Sequence, residues 1–472
     1  MINRNIILMT IWQPTLEGRS GPKFRQISDA IGEAALNGDL RPGERLPPQR
    51  DLAYLLGVSL NTVSRAYADA IDRGFLKGEV GRGTYVRGSG PLPFAGQAAG
   101  LKREAAGPID FSLNLPAPGD ADRDLARTLR DLSETDGLAA FLDYDMFSTS
   151  DRHTAAAAGW LGRTGLDARP EGIVFTSGAQ HGLLVALMAT LRPGDVLFTD
   201  ELTYAPIKAL AHRQDLKLRP VASEGGTMSP DALEAACRGV AGKAVYCMPT
   251  LHTPTTATMD RDRRAALAQV AERHDLTLIE DDVFGFLPID RPPPLASFVP
   301  ERTIYIGSAS KSLAPGLRVG FLHASAGRIS DLRAAVNLTS WMSPPLMTEI
   351  ACRWIEDGTA ARLNDFQRSE AMARQAMARE LLPEDCLHAD PCGFHVWLTL
   401  PEEWHADVFR MEAERRGVKL MVGGAFAIRP GEAPNALRLC LSHERDRERV
   451  RRGLEVVADL LGDRSETGAL IM

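Results

Sequence analysis

The stretch that most constrains this chain is residues 89–108, SGPLPFAGQAAGLKREAAGP. Thirteen of its twenty residues are Gly, Pro, Ala or Ser, and no apolar period survives there. Composition of that kind is a linker. It divides the 472 residues into a small unit, 1–88, and a large one, 109–472. Fully extended the linker spans at most about 70 Å, and as a flexible coil roughly 25 Å. The two sides also differ in charge. Residues 23–88 hold ten Lys/Arg and eight Asp/Glu, whereas the whole chain sets 54 Lys+Arg against 61 Asp+Glu, a net charge of −7. A uniformly basic nucleic-acid binder is excluded, so any such contact must come from a local patch.

Composition adds a few exclusions. With 44% hydrophobic and 24% charged residues, the balance is globular rather than disordered. Six cysteines without a C-x-x-C pair predict reduced thiols, no disulfide framework and no zinc module. The apolar run at 6–12 has no small-x-small cleavage site after it and meets Gln13-Pro14, so secretion is not expected; Met9 is an alternative start. No window approaches about 18 uninterrupted apolar residues, so no membrane span is expected. These features point to a soluble cytoplasmic protein.

In the small unit Phe24, Ile27, Ile31, Ala34 and Ala35 recur at helical spacing and stop near Asn37-Gly38. Pro47-Pro48 open a second helix, residues 49–56, closed by Gly57. Ser59 is an N-cap for a third, whose Val63, Ala66, Tyr67, Ala70 and Ile71 form one apolar stripe. That stripe leaves Asn61, Thr62, Arg65 and Asp69 on the opposite face. Two short helices about a Gly57-Val58 turn are helix-turn-helix geometry, and residues 74–87 follow as a glycine-punctuated hairpin. Asn and Arg read adenine and guanine edges in the major groove, and Arg50 is placed for a phosphate or a base. The competing interpretation is a helical docking module with a solvated polar face.

The segment PGERLPPQRDLAYLLGVSLNTVSRAYADAIDRGFLKGEVGRGTYV closely resembles the GntR-type winged helix-turn-helix, over residues 22–86. The resemblance implies double-stranded DNA as partner, contacted by Arg50, Ser59, Asn61, Thr62 and Arg65, with Gly81 and Gly83 in the wing. Leu60 stands where the family usually has an arginine.

After the linker, apolar strands alternate with amphipathic helices. Residues 173–176, 196–199, 244–248, 276–280 and 303–306 read as strands; 180–191 and 262–274 read as helices. Alternation of this length predicts a mostly parallel sheet in an α/β domain. A large part at about 150–355 gives way to a smaller α+β part at about 370–472, with a strand at 394–400. At the end of one strand, Ser308-Ala309-Ser310-Lys311 puts a lysine beside two hydroxyls, with Arg318 beyond. A desolvated lysine there is able to form a Schiff base, and the serines and Arg318 to grip a phosphate. The same S-x-x-K spacing occurs in penicillin-interacting acyltransferases, but S-D-N and K-T-G do not accompany it in order. A plain surface lysine is the other alternative.

Glu280-Asp281-Asp282 ends another strand, where a carboxylate can pair with a pyridinium nitrogen. No histidine lies near enough to make that trio a metal site. Thr176-Ser177-Gly178-Ala179-Gln180 ends a strand and opens a helix, a cradle for an anion. Tyr204 can stack on a ring or simply pack in the core.

Together these segments resemble the aminotransferase class I fold of pyridoxal-phosphate enzymes, fold type I, over residues 109–462. The resemblance implies pyridoxal 5'-phosphate as cofactor, with Lys311 forming the internal aldimine and Asp281 pairing with the pyridine nitrogen. Tyr204 would stack on the ring, while Gly178, Ala179, Gln180, Ser308, Ser310 and Arg318 hold the phosphate. Arg438, in ALRLCLS, matches the arginine that receives a carboxylate, and Tyr144 would reach the phosphate of the neighbouring subunit in a homodimer. Three motifs depart from the pattern. Phe284 replaces the tyrosine of D-x-x-Y, Thr253 and Thr256 replace the asparagine and glycine of N-P-[TL]-G, and a glycine is missing at 147–152.

A GntR-type reader followed by an aminotransferase-like domain is the architecture of MocR-type regulators, which this chain resembles over nearly its whole length. The expected function is pyridoxal-phosphate-dependent transcriptional regulation through an amino acid, an amine or the cofactor itself. The alternative is an active aminotransferase carrying a DNA-binding domain.

Overall fold

The computed structural model describes residues 12–16, 19, 21–37, 39–41, 43–72, 75–79, 83–86, 107–144, 150–429 and 432–462. The chain divides into two compact units, residues Met1–Leu101 and Lys102–Met472.

The first unit packs helices α1 (Lys23–Asn37), α2 (Gln49–Leu56) and α3 (Leu60–Asp72) with the strands β1 (Leu76–Glu79) and β2 (Gly83–Val86). Gly57 ends α2 in the left-handed region at φ 63°, a conformation glycine adopts without steric cost. The hydroxyl of Ser59 then accepts the amide of Thr62 at 3.1 Å, which caps α3. Val63, Ala66, Tyr67 and Ala70 are buried against Ile27 and Ile31 of α1. Ile71, expected in the same stripe, is instead 36% exposed, because it falls one step past the buried edge of the face. β1 and β2 pair antiparallel from Leu76↔Val86 to Glu79↔Gly83. The glycine-punctuated segment is therefore a hairpin.

The second unit is built on a seven-stranded sheet of β3 (Ile173–Thr176), β4 (Val196–Asp200), β5 (Lys217–Val221), β6 (Ala244–Cys247), β7 (Thr277–Asp281), β8 (Thr303–Ser308) and β9 (Gly320–His323). The spatial order is β3-β9-β8-β7-β6-β4-β5. All pairings are parallel except the two made by β9. Strands β3, β6, β7 and β8 are buried along their whole length, which is why they read as continuous apolar runs. A second sheet contains β10 (Leu387–Ala389), β11 (His395–Thr399), β12 (Met421–Val422) and β13 (Ala436–Cys440), in the order β10-β11-β13-β12 and antiparallel throughout. The first strand among the described residues of the unit, Ile109–Asp110, pairs in parallel with Val418–Lys419, just before the small-sheet strand β12. Among the described residues no helix is long and apolar enough to cross a membrane.

Candidate functional site

A cavity of about 150 Å³ opens at the carboxyl ends of the central parallel strands, the usual ligand position in such sheets. Asp281 closes β7, Ser308 closes β8, and Lys311 sits in the helical turn Ala309–Ser312 that follows. Asp281 is buried. Its Oδ2 accepts the hydroxyl of Tyr246 at 2.8 Å, while Oδ1 has no hydrogen-bond partner among the described residues. Burial pushes the carboxyl up to about 6. The amine of Lys311 is pushed down to about 8 because the cavity wall withdraws it from water. Its Nζ donates to the main-chain oxygen of Asn114 and lies 5.7 Å from the centroid of the Phe284 ring.

A pocket for an anion stands at the other end. The helix Ala179–Thr190 starts at Gly178 without a side-chain cap, leaving first-turn amides to point outward. Gly178 has φ +88°, and a Cβ there would stand 2.7 Å from Arg318 Nη2. A Cβ on Gly320 would stand 2.6 Å from the carbonyl carbon of Gly178, so both glycines are what let the strand, the guanidinium and the helix start meet. Ser308 Oγ accepts the amide of Ser310 at 3.0 Å, and Arg318 Nη2 donates to Ser177 O at 3.1 Å.

Arg438, on β13, brings a cation from the small sheet to the same cavity. Its Nη2 donates to the main-chain oxygen of Ser112 at 2.6 Å, and its guanidinium lies 4.8 Å from the Phe426 ring centroid. Tyr204 lines the cavity too, and burial pushes its phenol up to about 12.

The structure thus gathers Ala179, Gln180, Tyr204, Asp281, Ser308, Ser310, Lys311, Arg318 and Arg438 around one cavity, while Gly178 is not in its lining but stands against Arg318. Tyr144 is not brought there. It is 80% exposed and stands edge-on to Trp341 at 6.0 Å. Of the acidic trio only Asp281 faces the cavity. Glu280 accepts the amides of Leu295 and Ala296 at 2.9 and 3.0 Å, and Asp282 Oδ2 holds Tyr305 at 2.6 Å and Arg291 at 2.8 Å. Phe284 and Thr253 line the wall where a phenol and an amide were missed in the sequence. Thr256 takes φ 66°, the left-handed conformation that glycine supplies in the family pattern.

Sequence reasoning overlooked Asn114, Tyr246 and His395. Tyr246 pairs with Ile279 across β6 and β7, so alternation puts it on the same face as Asp281. That signal was available once the strands were placed. His395 Nε2 lies 3.3 Å from the main-chain oxygen of His252, and Nδ1 lies 3.3 Å from Asn114 Nδ2. Burial pushes this imidazole down to about 3, so it is neutral. No local sequence signal joins residues 114, 252 and 395.

On the first unit, Arg50, Ser59, Asn61 and Arg65 are exposed. Thr62 is half-buried, 2.8 Å from the Ser59 hydroxyl. Arg65 lies over the Phe24 ring at 4.1 Å. Gly83 has φ +126° and faces Arg45, while Gly81 lies outside the described residues. Asp69, expected on the solvated face, is half-buried and accepts the Ser28 hydroxyl at 2.5 Å, tying α3 to α1.

The sequence profile of aminotransferase class I and II matches residues 108–457, and that of bacterial regulatory proteins of the gntR family matches residues 23–86. The uncharacterized HTH-type transcriptional regulator YdeF of Bacillus subtilis is 29% identical over 457 residues, covering 96% of this chain and 97% of that protein. The vitamin B6 salvage pathway transcriptional repressor PtsJ of Salmonella typhimurium is 29% identical over 434 residues, covering 91% of this chain and 96% of the repressor. In three dimensions, the kynurenine aminotransferase of Pyrococcus horikoshii aligns with a TM-score of 0.70 at 24% identity, over 77% of this chain and 92% of the enzyme. Members of this aminotransferase fold bind pyridoxal phosphate. The chain belongs to the aminotransferase class I and II family, with a GntR-type helix-turn-helix unit fused ahead of that domain.

Proposed function

We propose that this chain is a DNA-binding transcriptional regulator whose second unit binds pyridoxal 5'-phosphate and answers to an amine or amino acid. The observation that carries the reading is the pairing of Lys311 with Asp281 in one cavity. The first is a lysine pushed down to about 8, the second a buried carboxylate whose Oδ1 has no hydrogen-bond partner among the described residues. These residues fit the cofactor. Lys311 is the nucleophile for its aldehyde, Asp281 the counter-charge for its ring nitrogen, and Tyr204 a flat neighbour for the ring. Gly178, Ala179, Gln180, Ser308, Ser310 and Arg318 supply amides, hydroxyls and a cation for the phosphate. Arg438 is placed for a ligand carboxylate. When bound, the group supplies an electrophilic carbon and an electron-withdrawing ring.

The relatives are named as transcriptional regulators, one of them a repressor of vitamin B6 salvage, which supports regulation over catalysis. Arg50, Ser59, Asn61, Thr62 and Arg65 on the first unit, with the wing at Gly81 and Gly83, would contact promoter half-sites. A homodimer, with Tyr144 reaching the neighbouring subunit's phosphate, would set two half-sites side by side. Action on DNA places the protein in the cytoplasm. Retention of Lys311 and Asp281 together favours one second reading, a working aminotransferase with an appended DNA-binding unit.

The test is spectroscopic. Purified protein mixed with pyridoxal phosphate is expected to show visible absorbance, and borohydride reduction followed by peptide mapping to label Lys311. Lys311→Ala should lose both. A chain that stays colourless with added cofactor defeats the proposal.

A further inference from the structure

Two of the three cations that line the cavity, Lys311 and Arg438, are engaged by one short stretch of main chain. Lys311 Nζ donates to Asn114 O, and Arg438 Nη2 donates to Ser112 O at 2.6 Å. The stretch is anchored on either side by groups outside the cavity. Asp110 N donates to Glu444 Oε1 at 2.6 Å, Phe111 N to Lys419 O at 2.9 Å, and Ser442 Oγ to Leu115 O at 2.6 Å. Between those anchors, Ser112 and Asn114 have their carbonyls held by the two side chains that a ligand would claim.

We propose that the Ser112 and Asn114 carbonyls are the groups a ligand displaces, so that residues 109–115 register occupancy of the site. Resting on the function proposed above, this assigns the two displacements to different chemistry. The cofactor's aldehyde carbon would bond to Lys311 Nζ with its oxygen leaving as water, which takes the amine from Asn114 O. A ligand carboxylate takes Arg438 and releases Ser112. An amine without a carboxylate leaves the second contact in place. Asn114 keeps its side-chain contact with neutral His395 throughout, because His395 Nε2 donates its proton to His252 O and its Nδ1 is left to accept from Asn114. The released stretch pivots on that contact rather than leaving the fold. Its position gives the displacement a use, since residues 109–115 lie just inside the second unit, which begins at Lys102. Among the described residues, Ile109–Asp110 is the first strand after the linker.

Hydrogen exchange on the full chain tests this, read by mass spectrometry on a peptide spanning residues 109–116, with β6 as the internal control. Both bonds end on carbonyls, so exchange reads their loss through opening of the neighbouring amides, Ser112 N on Asp110 Oδ1 and Leu115 N on Leu113 O, and each loss is expected to speed that opening about fivefold. Pyridoxal phosphate alone should give the first step. An amine that joins the cofactor expels the Lys311 amine, which returns to Asn114 O, so methylamine should bring exchange back toward its starting rate, whereas glycine, whose carboxylate claims Arg438, should keep it raised. In Lys311→Ala the cofactor should leave the peptide unchanged. Loading seen by absorbance with exchange unchanged or slowed would overturn the inference while leaving the proposed function standing. Equal effects of glycine and methylamine, or none from either, would overturn the assignment of Ser112. No absorbance at all would bring down the function itself, and this inference with it.

Discussion

Lys311 and Asp281 face one cavity yet are shifted in opposite directions, and both shifts come from the same withdrawal from water. For the lysine, with its amine at about 8, roughly a tenth is unprotonated at pH 7. The rate of cofactor attachment should therefore climb with pH and level off above about 8. For the aspartate, at about 6, the ionised form needed beside a cationic ring nitrogen is lost as pH falls through that value. Retention of the cofactor should weaken below about pH 6, and Asp281→Asn should weaken it at every pH. Stopped-flow absorbance across pH 5–9 checks both arms. A flat profile would mean that neither group governs loading. A second substitution probes the departures. Phe284→Tyr restores a phenol in a wall now formed by a ring edge-on to Phe394, 5.8 Å between centroids. It is expected to raise keto-acid production from an amino acid, with little change in cofactor retention. Most of these residues were legible in sequence because they sit at strand ends, where a motif can be aligned with a position. The acidic trio was not resolved by sequence alone. Alternation along β7 and the turn after it send Glu280 to the amides at Leu295 and Ala296, Asp282 to Arg291, and only Asp281 to the cavity.

At the scale of elements, α3 carries two different jobs on neighbouring turns. Arg65 is exposed and rests on Phe24, so its guanidinium is oriented without being consumed. Asp69, one turn on, is bound to Ser28 of α1. Arg65→Ala should cost about 1–3 kcal/mol of DNA affinity at its cognate site if it reads a base. Equal loss on all sequences would demote it to a phosphate contact. Asp69→Ala should instead lower the stability of the first unit by about 1 kcal/mol, visible as an earlier thermal transition. A variant with unchanged unfolding would show the Ser28 contact to be idle. The helices of the first unit, those at 180–191 and 262–274, and most strands of the large sheet were readable because their apolar patterns are unbroken. Other helices and most of the small sheet were not singled out, and within the large sheet two strands, β5 and β9, escaped. β5, KLRPV, lies at the sheet edge, where charge and proline are tolerated and no apolar run is needed. β9 begins at Gly320, whose missing side chain makes room for the helix start at Gly178, and glycine reads as a breaker rather than a strand.

For the molecule as a whole, the question is what a ligand in the second unit does to DNA held by the first. Binding energy passes between two sites only as a difference in affinity between states, and the coupling is the same in either direction. If Lys311 and Arg438 release residues 109–115 on occupancy, the state that binds amine differs from the ligand-free one in the chain segment that follows the linker. An amine or amino acid should then change the DNA affinity of the cofactor-loaded chain by about 5- to 150-fold. The cognate DNA should change the amine's affinity by the same factor. Both are measurable on one sample, by fluorescence anisotropy of labelled DNA and by the visible spectrum of the cofactor. Lys311→Ala should still bind the DNA and still show a steep fall in affinity with salt, since phosphate contacts release counterions regardless of the ligand. Its affinity should no longer respond to amine. Rapid keto-acid production from an ordinary amino acid, with DNA affinity indifferent to that amino acid in the wild-type chain, would decide for the enzyme that carries a DNA-binding unit.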